Sequence, residues 1–416
     1  MTDITTRETQ PLAELFSQSG HIVCRFQDRV VELGGGSPRI EVKINTHRAL
    51  LALLSKRELP ITEFIVAGEI ELAYERPEDI LVLLNFRTQM DTRLGLAQRV
   101  SGWMVKLGSY LLGSARLNAR WLRNHYSERA DQVICSFLDR EHQLYSHGVG
   151  FGPSDEVSLE EAAGNKLRWI CDTCELGPGA RVLDVGGGWG SFLRFAGQRG
   201  ARVHSITVTA DSARHLEATR RQAGLEDCEV EQIDFWDLPA HSGPYDAIVC
   251  LGTIEHLPHY ERLLQRAQAL LRPGGWLHTD GFSVPRRNYY RHPFMHKYVF
   301  PGDNTPLLLD AYVSALERTP FVLEHLINDA YEYYRTILAW SYNFEAQVEA
   351  LAAAGVDQQL LRIFRLYLWG ITNTFRLRSI GAYRVVARAP SESLRFATFG
   401  PAGERRTSSD PQVGAG

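Results

Sequence analysis

Asp184-Val-Gly-Gly-Gly-Trp-Gly190 closes the apolar run Arg181-Val-Leu-Asp-Val and opens a segment with helical character at 191–199. Glycine lets a chain turn sharply from strand to helix and lets a ligand approach the backbone. The spacing GGGWG is not the GxGxxG of dinucleotide folds, and no GxxxxGK[ST] follows, so nucleoside triphosphates are disfavoured. Further buried-strand runs follow at 203–208, 228–233, 247–251 and 276–280, with helical patterns at 212–223 and 260–271. Strands alternating with helices predict an α/β, doubly wound parallel sheet.

The chain has 416 residues, which suggests two or three domains. Hydrophobic residues make up 44% and charged residues 23%, which excludes a disordered chain or a coiled-coil rod. No apolar stretch is long enough for a transmembrane helix, and the first residues lack a signal-peptide core. A net charge of -4 argues against nucleic acid as a partner. The six cysteines have no disulfide-framework spacing; Cys171-Asp-Thr-Cys174 is a lone CxxC, read as two thiols on one helical face, and no metal site is expected. These features fit a cytoplasmic protein.

Ahead of the glycine turn, residues 1–16 read as a disordered N-terminus and 17–100 as a small α+β unit. In that unit Phe64-Ile-Val-Ala-Gly-Glu-Ile-Glu-Leu reads as strand and 78–85 as a short helix. Residues 101–130 read as a helical linker, on which Arg116, Arg120 and Arg123 form one basic stripe. The catalytic domain is expected over 131–395, and 396–416 as a disordered tail.

Three stretches sharpen the reading of the turn. Asp234-Phe-Trp-Asp237 offers an acid and aromatics where an adenine can be hydrogen-bonded and stacked. Tyr245-Asp-Ala-Ile-Val-Cys-Leu-Gly252 and Leu271-Arg-Pro-Gly-Gly-Trp-Leu277 resemble the fourth strand, and the turn before the fifth, of class I S-adenosylmethionine (SAM) methyltransferases. The acid that usually ends strand two is replaced by Thr207-Val-Thr209.

That departure points to a subfamily. The chain resembles the cyclopropane-fatty-acyl-phospholipid synthase family, with its fatty-acid and mycolic-acid methyltransferase relatives. His125-Tyr126 with Phe137-Leu-Asp139, Tyr145-Ser-His147, Leu159-Glu-Glu-Ala-Ala-Gly-Asn-Lys166, Thr207–Ser212, Glu255-His256, Leu277-His278-Thr, His296–Gly302 and Tyr333–Trp340 match its motifs in order. Ser127, His147 and Ala163 replace the family's Asp, Cys and Gln. The resemblance implies a class I SAM-dependent methyltransferase domain, a Rossmann-like doubly wound sheet, beside a small N-terminal α+β domain. That domain would present lipid to the catalytic domain or to a partner copy, which leaves a homodimer open. SAM would be held by Tyr126, Tyr145, Ser146, Asp184, Gly186, Gly188, Gly190, Thr207, Thr209, Ser212, Asp234, Phe235 and Trp236.

The implied activity is methyl transfer to the double bond of unsaturated acyl chains of phospholipids, performed peripherally on the inner face of the cell membrane. A proton must leave the resulting cation. In the family a bound bicarbonate takes it, held by side chains matching Glu255, His278 and Tyr333 and the position of His147. Read without the resemblance, His278 is a satisfied core histidine, Glu255 a helix-terminal charge and Tyr333 a core aromatic. Asp280 stands where the family has a small apolar residue, adding negative charge beside the anion site. A protonated His147 would offset it, or the two would pair, altering or replacing the base. Arg286, Arg287 and Arg291, with the linker stripe, would meet lipid phosphates. The alternatives are a methyltransferase of a soluble small molecule and a non-catalytic SAM- or lipid-binding relative.

Overall fold

The computed structural model describes residues 12–14, 16, 20–36, 39–84, 128–152, 156–285, 293–299 and 306–391. Tyr126 and the arginines at 116, 120, 123, 286, 287 and 291 lie outside these residues, as do the tail 396–416 and most of the 101–130 linker.

The amino-terminal unit opens with a hairpin of β1 (His21–Phe26) and β2 (Arg29–Leu33). β3 (Arg39–Ile44) lies parallel to β1. Thr46 caps α1 (His47–Leu54), its hydroxyl accepting from Ala49 N at 3.2 Å. α2 (Glu58–Ala67) then leads to β4 (Ile70–Ala73), antiparallel to β3. The sheet order is β2-β1-β3-β4. Here one expectation fails, since Phe64–Ala67 is helix and not strand. Ile61 and Ile65, and Thr62 and Val66, are buried at i and i+4, and Gly68 ends the helix with φ 79°. A short apolar run suits either element, and the burial of α2 on its sheet decided it. The expected helix at 78–85 is a 3-10 turn, Pro77–Asp79, followed by α3 (Ile80–Leu83).

After α4 (Glu128–Phe137) and α5 (Leu159–Thr173) the chain alternates strand and helix. In order come β5 (Arg181–Val185), α6 (Ser191–Gln198), β6 (Arg202–Thr207), α7 (Ala210–Gln222) and β7 (Glu229–Gln232). β8 (Tyr245–Leu251), α8 (Tyr260–Leu270), β9 (Leu271–Ser283), α9 (Leu309–Glu317) and β10 (Val322–Asn328) follow. A helical hairpin, α10 (Ala330–Ala353) and α11 (Gln358–Arg376), precedes β11 (Gly381–Arg388).

The seven strands run in the order β10-β11-β9-β8-β5-β6-β7. β5 to β9 are mutually parallel, and β11 enters antiparallel between β9 and β10. The chain leaves β5 toward β6 on one side and returns to β8 on the other. The order therefore reverses between β5 and β8, and a crevice forms beyond the carboxyl ends of these strands.

One core joins the two units. It unites Ile22, Ile40, Ile61 and Ile65 of the amino-terminal unit with Phe137, Trp340, Phe344, Phe364 and Trp369. Arg362 on α11 also donates to Val66 O at 3.3 Å. Because the core is shared, Phe364→Ala should lower the unfolding free energy by about 3–5 kcal/mol. Both units should then lose structure in one urea transition; two separated transitions would contradict the shared core.

Candidate active site

The crevice is a cavity walled by the loops after β5, β6, β7 and β8 and by α10 and α11. Asp184, next to last in β5, is buried, with Oδ2 accepting from Ser205 Oγ on β6 at 2.8 Å. At Gly187 an added Cβ would sit 2.0 Å from that same Ser205 oxygen, so the loop lies against the sheet only without a side chain there. Gly186 turns with φ 81° while its N–H donates to Ile206 O at 2.9 Å. Thr209 caps α7, accepting from Ser212 N at 3.3 Å. Asp234 accepts from Trp236 N at 2.8 Å, and burial raises its carboxyl above the usual range. Arg262 lies 4.5 Å from the centre of the Trp236 ring. Burial pushes Asp184 up to about 7.

The cavity wall includes Tyr145, Ser146, Asp184, Gly186, Gly188, Thr207, Thr209, Ser212, Asp234, Phe235 and Trp236 from the expected cofactor set. Gly190 is not part of the wall. It is the N-cap of α6, where an added Cβ would lie 3.0 Å from the Thr219 side chain, so its part is helix packing.

The five residues expected to act chemically divide into two groups. Glu255 and Tyr333 face the cavity. His147, His278 and Asp280 lie behind its wall, each no more than 1% exposed. Glu255 follows β8 on a single 3-10 turn, Ile254–His256. Its Oε1 accepts from Phe282 N at 3.0 Å, and its Oε2 is buried without a hydrogen-bond partner. The fit is close enough that a Cβ on Gly281 would meet Oε1 at 2.5 Å. Burial pushes the Glu255 carboxyl up to about 8. Tyr333, on the first turn of α10, stacks on Phe375 with ring centres 4.8 Å apart.

The rear group is an ion network. Lys166, fully buried on α5, places Nζ 2.7 Å from Asp280 Oδ2 and 2.7 Å from Ser146 Oγ. Asp280 also accepts from Gly252 N at 2.8 Å, and His278 Nε2 lies 3.4 Å from its Oδ2. His147 Nδ1 is 3.3 Å from Lys166 Nζ, and its Nε2 is 3.0 Å from Asp329 Oδ2. Arg384 on β11 grips both Asp329 oxygens, at 2.5 and 3.0 Å, and lies 4.2 Å over the Trp169 ring.

This network corrects the expected pairing. Asp280 is neutralised by Lys166, while His147 pairs with Asp329. Burial, aided by Lys166, takes the His147 pKa down to about 4, which works against its protonated form. Burial likewise lowers His278. Burial alone would raise both aspartates; Lys166 with His278 outweighs it for Asp280, and His147 with Arg384 brings Asp329 to about 2.

Sequence reasoning gave no part to Lys166, Asp329 or Arg384. For Lys166 a signal existed. It shares the apolar face of α5 with Ala162, Ala163, Leu167 and Ile170, where a lysine must find an anion. It likewise gave no part to the apolar wall of Phe282, Ile337, Trp340, Tyr367, Ile371 and Phe375. There Tyr145 stacks on Trp340, 5.5 Å centre to centre, with its hydroxyl 3.4 Å from that of Tyr367.

A family model described as mycolic acid cyclopropane synthetase matches residues 114–385. The chain is 31% identical over 249 residues to the cyclopropane-fatty-acyl-phospholipid synthase of Escherichia coli K12, covering 58% of this chain and 62% of that one. It is 29% identical over 256 residues to sphingolipid C9-methyltransferase 2 of Gibberella zeae, covering 59% of this chain but 49% of that one. The match thus spans about half to three-fifths of these relatives' length. In fold it is similar to the mycolic acid cyclopropane synthase CmaA1 complexed with SAH and CTAB, with a TM-score of 0.57 and 23% identity over 64% of this chain and 96% of that one.

Two outcomes follow from the buried charges. Asp280→Leu strands a buried ammonium and should cost about 3–5 kcal/mol, while adding Lys166→Met should restore most of it; urea unfolding checks both. Glu255 binds its proton more tightly folded than unfolded, so the stability it contributes is full below about pH 4.5 and lost as pH rises through about 8. The melting temperature of Glu255→Gln should therefore gain on that of the parent protein between pH 5 and 8, as scanning calorimetry would show.

Proposed function

The chain belongs to the mycolic acid cyclopropane synthetase family, and from that premise we propose that it is a SAM-dependent C-methyltransferase of unsaturated acyl chains in membrane phospholipids. The observation that supports this is a single cavity with a polar cradle and an aromatic wall. The cradle is Asp184, the glycine loop, Thr207, Thr209 and Asp234; the wall is Trp340, Tyr367, Phe375 and their aliphatic neighbours.

The cradle fits SAM on its donor set. The side-chain-free Gly187 admits a close approach, and Asp234 beside Phe235 and Trp236 suits an adenine. The hydroxyls of Thr207 and Thr209 stand where other methyltransferases place an acid. When bound, SAM supplies a sulfonium methyl that is already electrophilic.

The chain's own residues must then do three things. They must hold a neutral alkene against that methyl, keep water away from the cation formed, and receive a proton. Ile337, Ile371 and Phe282 offer an apolar bed for hydrocarbon. Tyr145 and Trp340 bring aromatic rings to the cavity, and such rings stabilise a cation within about 6 Å. α11 lines this bed with Tyr367, Ile371 and Phe375 while its other contacts hold the amino-terminal unit. A role for residues 17–100 in presenting lipid is supported by that shared helix. Among the described residues no helix is long and apolar enough to cross a membrane, which is compatible with action from its surface.

A sphingolipid substrate is a second reading, favoured by the likeness to the Gibberella zeae enzyme. The purified chain, methyl-deuterated SAM and vesicles of either unsaturated phospholipid or unsaturated ceramide separate the two by mass spectrometry. Label in the phospholipid acyl chains is the expected outcome. Three deuteriums would mark a methyl branch, and two a ring or methylene. Label in ceramide alone would replace the substrate, and no label in either lipid would overturn the lipid reading.

A further inference from the structure

We propose that Glu255 is itself the base that completes the reaction and that this chain uses no bound bicarbonate. The inference rests on the lipid-methylation reading above and concerns its last step.

A bicarbonate site needs N–H and O–H donors turned toward the cavity, or a net positive charge beside it. The residues that match the family's anion site offer one O–H group, the Tyr333 phenol, and no net positive charge. His278 Nε2 faces a carboxylate oxygen of Asp280, so Nε2 carries the hydrogen and Nδ1 is left a bare lone pair. His147 is fixed by the same logic, its Nε2–H toward Asp329 and its Nδ1 lone pair toward the Lys166 ammonium. His147 is thus committed at both nitrogens and His278 at Nε2, the His278 Nδ1 being buried without a hydrogen-bond partner, and both rings lie outside the cavity wall. Asp280 takes Lys166 and His278 on one oxygen and the Gly252 N–H on the other. Lys166 and Arg384 balance Asp280 and Asp329, so the network is neutral as a whole and does not draw an anion. Of the family's set, Glu255 and Tyr333 alone face the cavity, and one phenol is not an anion cage.

Glu255 has what a base needs. One oxygen is anchored by the Phe282 N–H, and the other is buried, unpartnered and part of a cavity-facing side chain. Asp280 raises its proton affinity and Lys166 lowers it, while Tyr367 is the further titratable group within electrostatic reach from α11. Burial makes it, once ionised, a stronger base than a carboxylate in water, and the ionised form is gained as pH rises through about 8.

The step balances. The methyl forms a bond to one alkene carbon as its bond to sulfur breaks, the electron pair staying on sulfur and the other alkene carbon becoming cationic. Glu255 Oε2 then takes a proton from the added methyl, whose C–H pair closes a ring, or from the neighbouring methylene, whose pair forms a double bond. The resulting carboxylic acid returns its proton to water after product leaves.

The test uses the full chain, SAM and unsaturated phospholipid vesicles in carbon-dioxide-stripped buffer, with and without added bicarbonate. The expected rate is the same in both, and Glu255→Gln should lose about a hundredfold or more in kcat with SAM affinity unchanged by tryptophan fluorescence. A parent rate that collapses without bicarbonate and returns with it would overturn the proposal, as would an active Glu255→Gln. Carbon-13 NMR of the protein in labelled bicarbonate reads the same question without turnover. No bound signal is expected, and one that disappears in Glu255→Gln would overturn the inference even if no lipid were methylated. Failure of lipid labelling, by contrast, bears on the substrate.

Discussion

A lysine ammonium with no exposed surface cannot be left unpaired, and Lys166 is such a group. Its carboxylate partner at 2.7 Å, Asp280, fixes α5 against β9. The same ammonium holds Ser146 and touches His147, which in turn engages Asp329 at the start of α10, and Asp329 is gripped by Arg384 on β11. One contiguous set of charges therefore ties a helix, two central strands and a cavity-lining helix to the segment 145–147. Tyr145 and Tyr333, which face the cavity, stand on that segment and on α10. Removing one charge would leave another buried and uncompensated, which is strongly destabilising.

The network also shapes the chemistry available in front of it. Its two cations face two carboxylates, and burial disfavours charge on its histidines. What remains at the wall is a carboxyl group, aromatic rings and aliphatic side chains. That combination of one carboxyl group with aromatic and aliphatic side chains is what the proposed methyl transfer rests on. In the proposed reaction, a cavity lined by hydrocarbon and aromatic faces would keep water from the cation.

The helical hairpin has two tasks. α10 and α11 give the cavity Ile337, Trp340, Tyr367, Ile371 and Phe375 while sharing a core with the amino-terminal sheet. The small unit is thus continuous with the wall of the site through side-chain packing.

The residues that sit together in the chain were legible from it. The glycine turn after Arg181–Val185, the Asp234-Phe-Trp stretch and the strand–helix alternation each depend on neighbours a few positions apart, and they determined the sheet and the polar side of the cavity. Glu255 and Tyr333 were found by motif and do face the cavity. Phe64–Ala67 was misread because a four-residue apolar run has no period of its own. The partners of His147 and Asp280 were not legible, because Lys166, Asp329 and Arg384 come from separate elements and meet only when the sheet is assembled. Charge pairing is decided by distance in space, and sequence separation carries no information about which buried carboxylate a buried cation will reach.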